Sequence, residues 1–308
     1  MRGHTGGWIF LVVLTAVLGI GCGRPEIERR VVAFEAAGDE VKLLSVPVDS
    51  GVSEGGESSW PQQRDALLDL LADQGADVVC LQEATAFQVR DIRRGAPAYQ
   101  AAGVGSPDTE AAGQVCPVLY RRDRFELSAE GVFWFSNTPW AAGSRHWDNE
   151  LPRVCTWVRL VDRQTGQGFF VYNLQLDGAS AFSREESARL LVRQIARRKP
   201  AEPVIAAGDF YDGADSRTLR ILRGQEQTPG AEGVELVDTW LPTGLRTDQE
   251  GTYHEFGGRR EGVRRDMILT GPEAEVLWAE IDRRMFRGQY PSDHFPVTAM
   301  IRLPAASF

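Results

Sequence analysis

Lysine is almost missing from this sequence. Of 34 basic residues in 308, only Lys42 and Lys199 are lysines; the rest are arginine, and 43 acidic residues outweigh them to a net charge of −9. The isoelectric point is accordingly low, about 5.1. This balance argues against tight non-specific binding of duplex DNA, which draws on many Lys and Arg contacts to phosphate. It does not exclude a small phosphoester pocket, because a local arginine cluster still binds one phosphate. Cysteine is scarce too, with four in the chain. None has the Cys-x-x-Cys spacing of a metal site. Cys80, Cys116 and Cys155 sit in apolar, β-rich stretches and read as buried thiols, with one disulfide as the alternative in an oxidising compartment. Repeats and low-complexity tracts are absent, and few Pro/Gly/Ser runs interrupt the chain after residue 60. Nothing therefore marks a second domain.

The apolar run from Trp8 to Ile20 is short for a spanning helix and about the length of a signal-peptide core. Arg2 precedes it and Gly21-Cys22-Gly23 follows. A small residue before the cysteine points to a bacterial lipoprotein signal, with Cys22 lipidated after cleavage. Gly19, three residues before the cysteine, departs from the usual aliphatic residue, so ordinary secretion and an uncleaved anchor are the alternatives. The reading is a signal over 1–22, a tether over 23–40 and one domain over 41–308. The protein would be exported and held in the cell envelope through the lipid at Cys22.

Strands are expected at Val41–Val48, Val78–Leu81, Val118–Tyr120, Gly131–Phe135, Val154–Leu160, Phe169–Leu176, Val204–Ala207, Met267–Thr270, Glu275–Glu280 and Val297–Arg302. Trp60-Pro61 opens a helix with an apolar stripe of Ala66, Leu67, Leu70 and Leu71. Ala84–Arg94 reads as a second helix. Ser183, with Glu186 three residues on, predicts a capping box at the start of a third, which Pro200 ends. Strands with helices between and outside them imply a layered α+β sandwich.

Polar groups gather at the strand ends: Glu83, Asn173, Asp209, Asp266 and the pair Asp293-His294. Each alone reads as a turn or cap. Together, carboxylates suit a hard divalent cation, and an imidazole beside an acid suits general acid–base chemistry. Leu81-Gln82-Glu83, Gly208-Asp209-Phe210, Asp266-Met267-Ile268 and Ser292-Asp293-His294 stand in an order and spacing that resemble the endonuclease/exonuclease/phosphatase superfamily. Gly143 to Arg153 resembles a segment of its secreted bacterial branch. The similarity runs from about residue 41 to 303. It implies a four-layered sandwich of two packed β-sheets flanked by helices, and a metal-dependent phosphoesterase site along one edge. By that resemblance Glu83 would ligate Mg²⁺ or Mn²⁺ with Asp293 close by. His294, oriented by Asp266, would take a proton from the attacking water, while Asp209 and Asn173 would position water and phosphate.

The pattern breaks in four places. Pro47 stands where the first strand should carry a metal-binding Asn, which implies an edge or bulged strand because proline lacks a ladder donor. Asp49 shares that face but lies roughly 6–7 Å further along. Gln175 replaces the His of an Asn-Thr-His motif, a group that binds phosphate and can serve as a second acid. Gln114 stands where that His often finds a Glu, and the two amides would bond to each other. Tyr211 replaces the last Asn of Gly-Asp-Phe-Asn. These changes leave two functions open: a metal-dependent phosphoesterase of weak or altered activity acting on a phosphodiester or phosphomonoester, and a non-catalytic binding or scaffold protein that reuses the fold. Elsewhere, His146 and His254 read as surface or hydrogen-bonded residues, Trp134, Trp140, Trp147 and Trp157 as core or loop supports, and Arg259, Arg260, Arg264 and Arg265 as a solvated loop.

Overall fold

Alternation of apolar residues on both faces of the long strands decides the architecture. A strand buried on both faces reads as a nearly continuous apolar run and has to be covered twice. In the computed structural model, which describes residues 39–48, 60–104, 114–240 and 250–304, two six-stranded sheets meet that demand. The signal, the Cys22 lipidation site and most of the tether (through residue 38), together with Asp49, lie outside the described residues.

Chain order begins with β1 (Glu40–Pro47), α1 (Trp60–Gln74), β2 (Val78–Gln82), β3 (Ala84–Thr85), α2 (Ala86–Gly95) and β4 (Tyr99–Ala102). It continues with β5 (Gln114–Val115), β6 (Val118–Arg121), β7 (Phe125–Trp134), β8 (Val154–Asp162) and β9 (Gly168–Gln175). Then follow α3 (Ala181–Ala196), β10 (Val204–Asp209), α4 (Arg217–Leu222), β11 (Val237–Asp238), β12 (Asp266–Thr270), β13 (Glu275–Ile281) and β14 (Val297–Arg302). One sheet runs β13-β14-β1-β2-β6-β4 and the other β11-β12-β10-β9-β8-β7, while β3 and β5 form a small separate pair.

Between the sheets lies one apolar seam. Val41 and Leu43 of β1 and Val78 and Cys80 of β2 meet Phe169 and Val171 of β9 and Ile205 and Ala207 of β10 there. The alternate residues face outward: Leu44, Val46, Val79 and Leu81 pack on α1 and α2, and Phe170, Tyr172, Val204 and Ala206 pack on α3 and α4. The result is the expected four-layered sandwich. All three described cysteines are buried free thiols. Trp134 is buried in a small cluster of its own, Trp147 and Trp157 pack against the outer core of the second sheet, and Trp140 is exposed.

Two expectations need correction. β1 is interior, lying between β14 and β2, with no bulge against either neighbour. Pro47 is tolerated because pairing with β14 stops at Ser45, while the opposite side is served by the Val48 N–H to Gln82 carbonyl bond of 2.8 Å. The missing donor therefore points past the end of a ladder. The helix expected at Ser183 begins at Ala181, capped by Ser180, whose hydroxyl accepts from the Ser183 N–H at 3.1 Å. Ser183 is itself buried and bonded to Asn149, so it serves packing. Thr85 and Gln88 form a capping box at α2 instead.

At the end of the sandwich where β1 starts, Arg124 ties the sheets together. Its guanidinium contacts Asp77 at 2.7 Å and Asp162 at 2.9 Å and donates to the Glu40 carbonyl at 2.7 Å. Removing one partner of a buried ion pair strands the other charge. Arg124→Leu should lower the free energy of unfolding by about 3–5 kcal/mol, read from urea denaturation; a loss below about 1 kcal/mol would show that water reaches both acids.

Candidate active site

Strand alternation also builds the site. On β9 the inward positions Phe169 and Val171 are followed by Asn173 and Gln175, and on β10 Ile205 and Ala207 are followed by Asp209. Ser45, Gln82 and Asp266 hold the same inward parity on β1, β2 and β12. The seam thus turns polar over its last rungs, all at one edge of the sandwich.

Gly208 makes that edge possible. Its φ is +151°, and a Cβ there would lie 1.8 Å from the Leu174 carbonyl oxygen, so only glycine lets β10 pass β9 as it delivers Asp209. Glu83 and Tyr211 follow their strands with φ of 60° and 54°, conformations that favour glycine. Such backbone costs of order 1–3 kcal/mol and persists where the surroundings dictate it.

His294 Nδ1 lies 2.7 Å from Asp266 Oδ2, with both residues buried. The Ser292 hydroxyl accepts from the His294 N–H at 2.9 Å and fixes the turn that presents the imidazole. Burial opposes a proton on His294, but Asp266, and then Asp209 and Asp293, overcome it and raise the group to about 9. Facing the other nitrogen is Arg265, whose Nη2 is 3.0 Å from Nε2. A guanidinium has no lone pair to offer. The contact therefore requires an unprotonated Nε2, with Nδ1–H donating to Asp266. We assign His294 as neutral in this arrangement, its attraction for a proton opposed by the cation seated on it.

Asp209 accepts the Tyr211 N–H at 2.9 Å through Oδ1. Burial and then the charge of Asp266 raise its carboxyl to about 7. Asp209 Oδ2 and Asp266 Oδ1 are buried without a hydrogen-bond partner among the described residues. Asp209, Asp266 and His294 bring ligand atoms within 4.8 Å of one another, a spacing that would suit a metal ion. Asp266 Oδ2 is already committed to the imidazole, however, and Arg265 supplies a cation 3.8 Å from Asp209. We read the trio as an acid–base core.

Glu83 and Asp293 form the other half. Burial raises the Glu83 pKa, a hydrogen bond from Gln175 pulls it back, and the charge of Asp293 raises it again. Two hard oxygen donors that disfavour each other's charge fit a divalent cation such as Mg²⁺ or Mn²⁺, which takes one or two carboxylates and keeps several waters.

One expected role changes. Asn173 is fully buried and its amide is committed to the sandwich: Nδ2 donates to the Leu81 and Pro117 carbonyls at 2.7 and 2.8 Å, and Oδ1 accepts from Gln82 at 2.6 Å. It braces the sheets and has no donor left for water or phosphate. Gln175 bonds to Glu83 and lies 3.4 Å from the Tyr211 hydroxyl. The side chain of Gln114, its expected amide partner, lies outside the described residues.

Arg265 is the main residue absent from the expected site. Its guanidinium lies 4.4 Å from the Tyr211 ring centre and 4.0 Å from that of Tyr253. The available signal was its place directly before Asp266, where it belongs with the motif and not with the loop arginines. Arg264 is buried on Asp238, while Arg259 and Arg260 are exposed as expected. Arg153 adds a second cation, 5.9 Å from the Tyr211 ring centre. His146 is exposed. His254 is buried against Phe295, its Nδ1 accepting from the Gly258 N–H at 3.3 Å, so it belongs to the core.

A model of the Endonuclease/Exonuclease/phosphatase family matches residues 48–294. The chain belongs to this family, whose members are hydrolases acting on phosphoesters. Among solved structures it is similar to a family member from Bacteroides vulgatus, with 25% identity, TM-score 0.78 and coverage of 86% of this chain and 99% of that one. It is also similar to a mannosyl-6-phosphatase from Bacteroides thetaiotaomicron, with 26% identity, TM-score 0.74 and coverage of 85% and 99%. The human Nocturnin catalytic domain shares the fold at 15% identity and TM-score 0.64, covering 86% and 95%. No curated protein matches the sequence.

Two measurements test these assignments. Asn173→Ala, which removes the amide donors to the Leu81 and Pro117 carbonyls and the acceptor for Gln82, should cost about 1–3 kcal/mol of unfolding free energy. A variant as stable as the parent would return Asn173 to the substrate side. Burial lowers the His254 pKa from 6.5 to about 4. The neutral ring thus stabilises the fold fully above pH 6.5, and that contribution is lost as pH falls toward 4. The melting temperature of His254→Gln should therefore fall less steeply over that window than that of the parent. Parallel curves would count against a buried neutral ring.

Proposed function

We propose that this chain is a metal-assisted phosphoesterase whose base is His294 held by Asp266. The observation that carries the reading is the buried 2.7 Å imidazole–carboxylate pair beside Glu83 and Asp293. Nδ1–H donates to Asp266, leaving the Nε2 lone pair as the one place on the ring that can accept a proton. In the proposed reaction Nε2 takes the proton of a water molecule. The water oxygen bonds to phosphorus, and the bond to the leaving-group oxygen breaks. Glu83 and Asp293 would hold Mg²⁺ or Mn²⁺, which when bound supplies positive charge against the phosphoryl oxygens. Gln175 cannot deliver a proton to the departing oxygen, so that group leaves with its electron pair as an anion or takes a proton from water. The mannosyl-6-phosphatase likeness makes a sugar phosphate monoester the first substrate to try. Export and an envelope anchor at Cys22 belong to the same proposal.

The second reading, a binding protein without turnover, draws on the arginine seated on Nε2 and on Gln175. Hydrolysis of mannose 6-phosphate, 4-nitrophenyl phosphate and its bis-ester separates the two. With Mg²⁺ or Mn²⁺ at least one should turn over, and His294→Ala should lower the rate by about 10²–10⁴. No metal-dependent hydrolysis of any of them would favour the second reading. Gln175→His should restore a proton donor and so accelerate the sugar phosphate, a poor leaving group, more than the nitrophenyl ester. Equal effects on both would show that position 175 handles no proton.

A further inference from the structure

Two neighbouring arginines, Arg264 and Arg265, are treated in opposite ways by the fold. Arg264 is buried and donates through both terminal nitrogens to the two oxygens of Asp238, although its Nε, like that of Arg265, has no acceptor among the described residues. That is a structural ion pair, with fork matched to fork. Arg265 has no such partner. Its nearest carboxylate oxygen, on Asp209, is 3.8 Å away and receives no hydrogen bond from it. Its Nε is buried without an acceptor among the described residues. Of its five N–H groups, the side chain's hydrogen bond uses one, to His294 Nε2.

An under-used, half-buried guanidinium is costly in a folded protein. Something nevertheless holds this one in place: Tyr211 and Tyr253 lie against it, and Thr252 accepts the Arg265 backbone N–H at 3.2 Å. Its side chain is 18% exposed, so unused donors can be reached from the cleft. Aromatic faces position a guanidinium while leaving its N–H edge available. A planar fork with free donors matches two oxygens of a phosphoryl group. Position 175, where the family resemblance places a phosphate-binding His, holds an uncharged amide already bonded to Glu83.

We infer that Arg265 is this site's receptor for a phosphoryl oxyanion, and that the same guanidinium caps the His294 base until an oxyanion draws it away. The binding half stands on geometry alone; the capping half rests on the phosphoesterase reading above. Binding of the anion and exposure of Nε2 become one event when Nη2 is among the donors drawn to the phosphoryl oxygens, because it then no longer donates to the imidazole. The cap also keeps the base covered while the site is empty.

Calorimetric titration of the full chain with inorganic phosphate tests the binding half without any turnover. The parent should bind phosphate. Arg265→Leu should weaken binding by about 10–100-fold, the worth of hydrogen bonds to a charged group. Arg265→Lys, which keeps the charge and loses the fork, should fall between them, and exposed Arg260→Leu should bind like the parent. Should Arg265→Leu fail to fold, Tyr253→Leu removes one shelf of the guanidinium and should weaken phosphate binding by a smaller factor. Parent-like affinity in a folded Arg265→Leu, or no phosphate binding by the parent, overturns the proposal.

Where hydrolysis is detected, capping predicts a split: Arg265→Leu raises KM about tenfold or more while kcat changes little, since binding is lost and the base uncovered. Equal loss in kcat and kcat/KM with unchanged KM would overturn capping. If no phosphoester is hydrolysed but Arg265→Leu still loses phosphate, the phosphoesterase reading falls and the oxyanion receptor stands.

Discussion

The amide of Asn173 holds the two sheets at the distance on which everything else depends. Registered pairing between β2 and β6 stops at Cys80 and Val118; one further bond joins the Leu81 N–H to the Pro117 carbonyl at 3.1 Å, and the ladder then opens. Asn173, on the opposite sheet, fills that opening with both N–H groups and accepts from Gln82. Below it the seam is apolar and sheet spacing is set by side-chain packing. Above it apolar contact has ended, and without a polar brace the edge could either collapse or splay. The brace allows carboxylates to stand at the ends of β10 and β12 facing a cleft.

Placing that many acids at one edge creates an electrostatic problem, and the molecule meets it in four ways. Asp209 is pushed toward neutrality, to about 7, first by burial and then by the charge of Asp266. Asp266 is matched to an imidazole. Glu83 takes a hydrogen bond from Gln175 that only partly offsets burial and the charge of Asp293. Arg265 then enters between the two tyrosines as a fixed positive charge, 3.8 Å from Asp209. Like charges in a desolvated cleft interact far more strongly than in water, so a permanent cation there does more to steady the acids than an exposed arginine would.

Much of the fold was legible because period-two alternation and helix punctuation are local signals. Val41–Val48, Phe169–Leu176 and Val204–Ala207 were visible as strands without knowing their neighbours. What stayed hidden depended on partners distant in the chain. Pro47 forbids a ladder donor, yet nothing in the sequence shows that β14 stops pairing two residues earlier. Asn173 looked like a substrate ligand because its carbonyl partners lie 92 and 56 positions away. His294 and Asp266 were legible as a pair through motif order, whereas Arg265 was submerged among loop arginines. Its role depends on Tyr211 and Tyr253 closing around it, which composition cannot disclose.

The changes at Gln175, Tyr211 and Arg265 make better physical sense together than apart. A histidine at position 175 would bring a charge that varies with pH, close to Glu83. Glutamine gives up both the charge and the transferable proton, but keeps a donor that Glu83 uses. Tyr211, too large to stand in passively for asparagine, provides a face on which a guanidinium can lie. Arg265 then restores positive charge at the site. What the combination does not restore is a mobile proton, since neither an amide nor an arginine delivers one. On the proposed reading, a site rebuilt in this way would keep the means to hold an oxyanion and to orient a base, while its demand on the leaving group would rise. The departures from the family pattern therefore describe a redistribution of charge across the cleft, centred on the residue next to the motif acid.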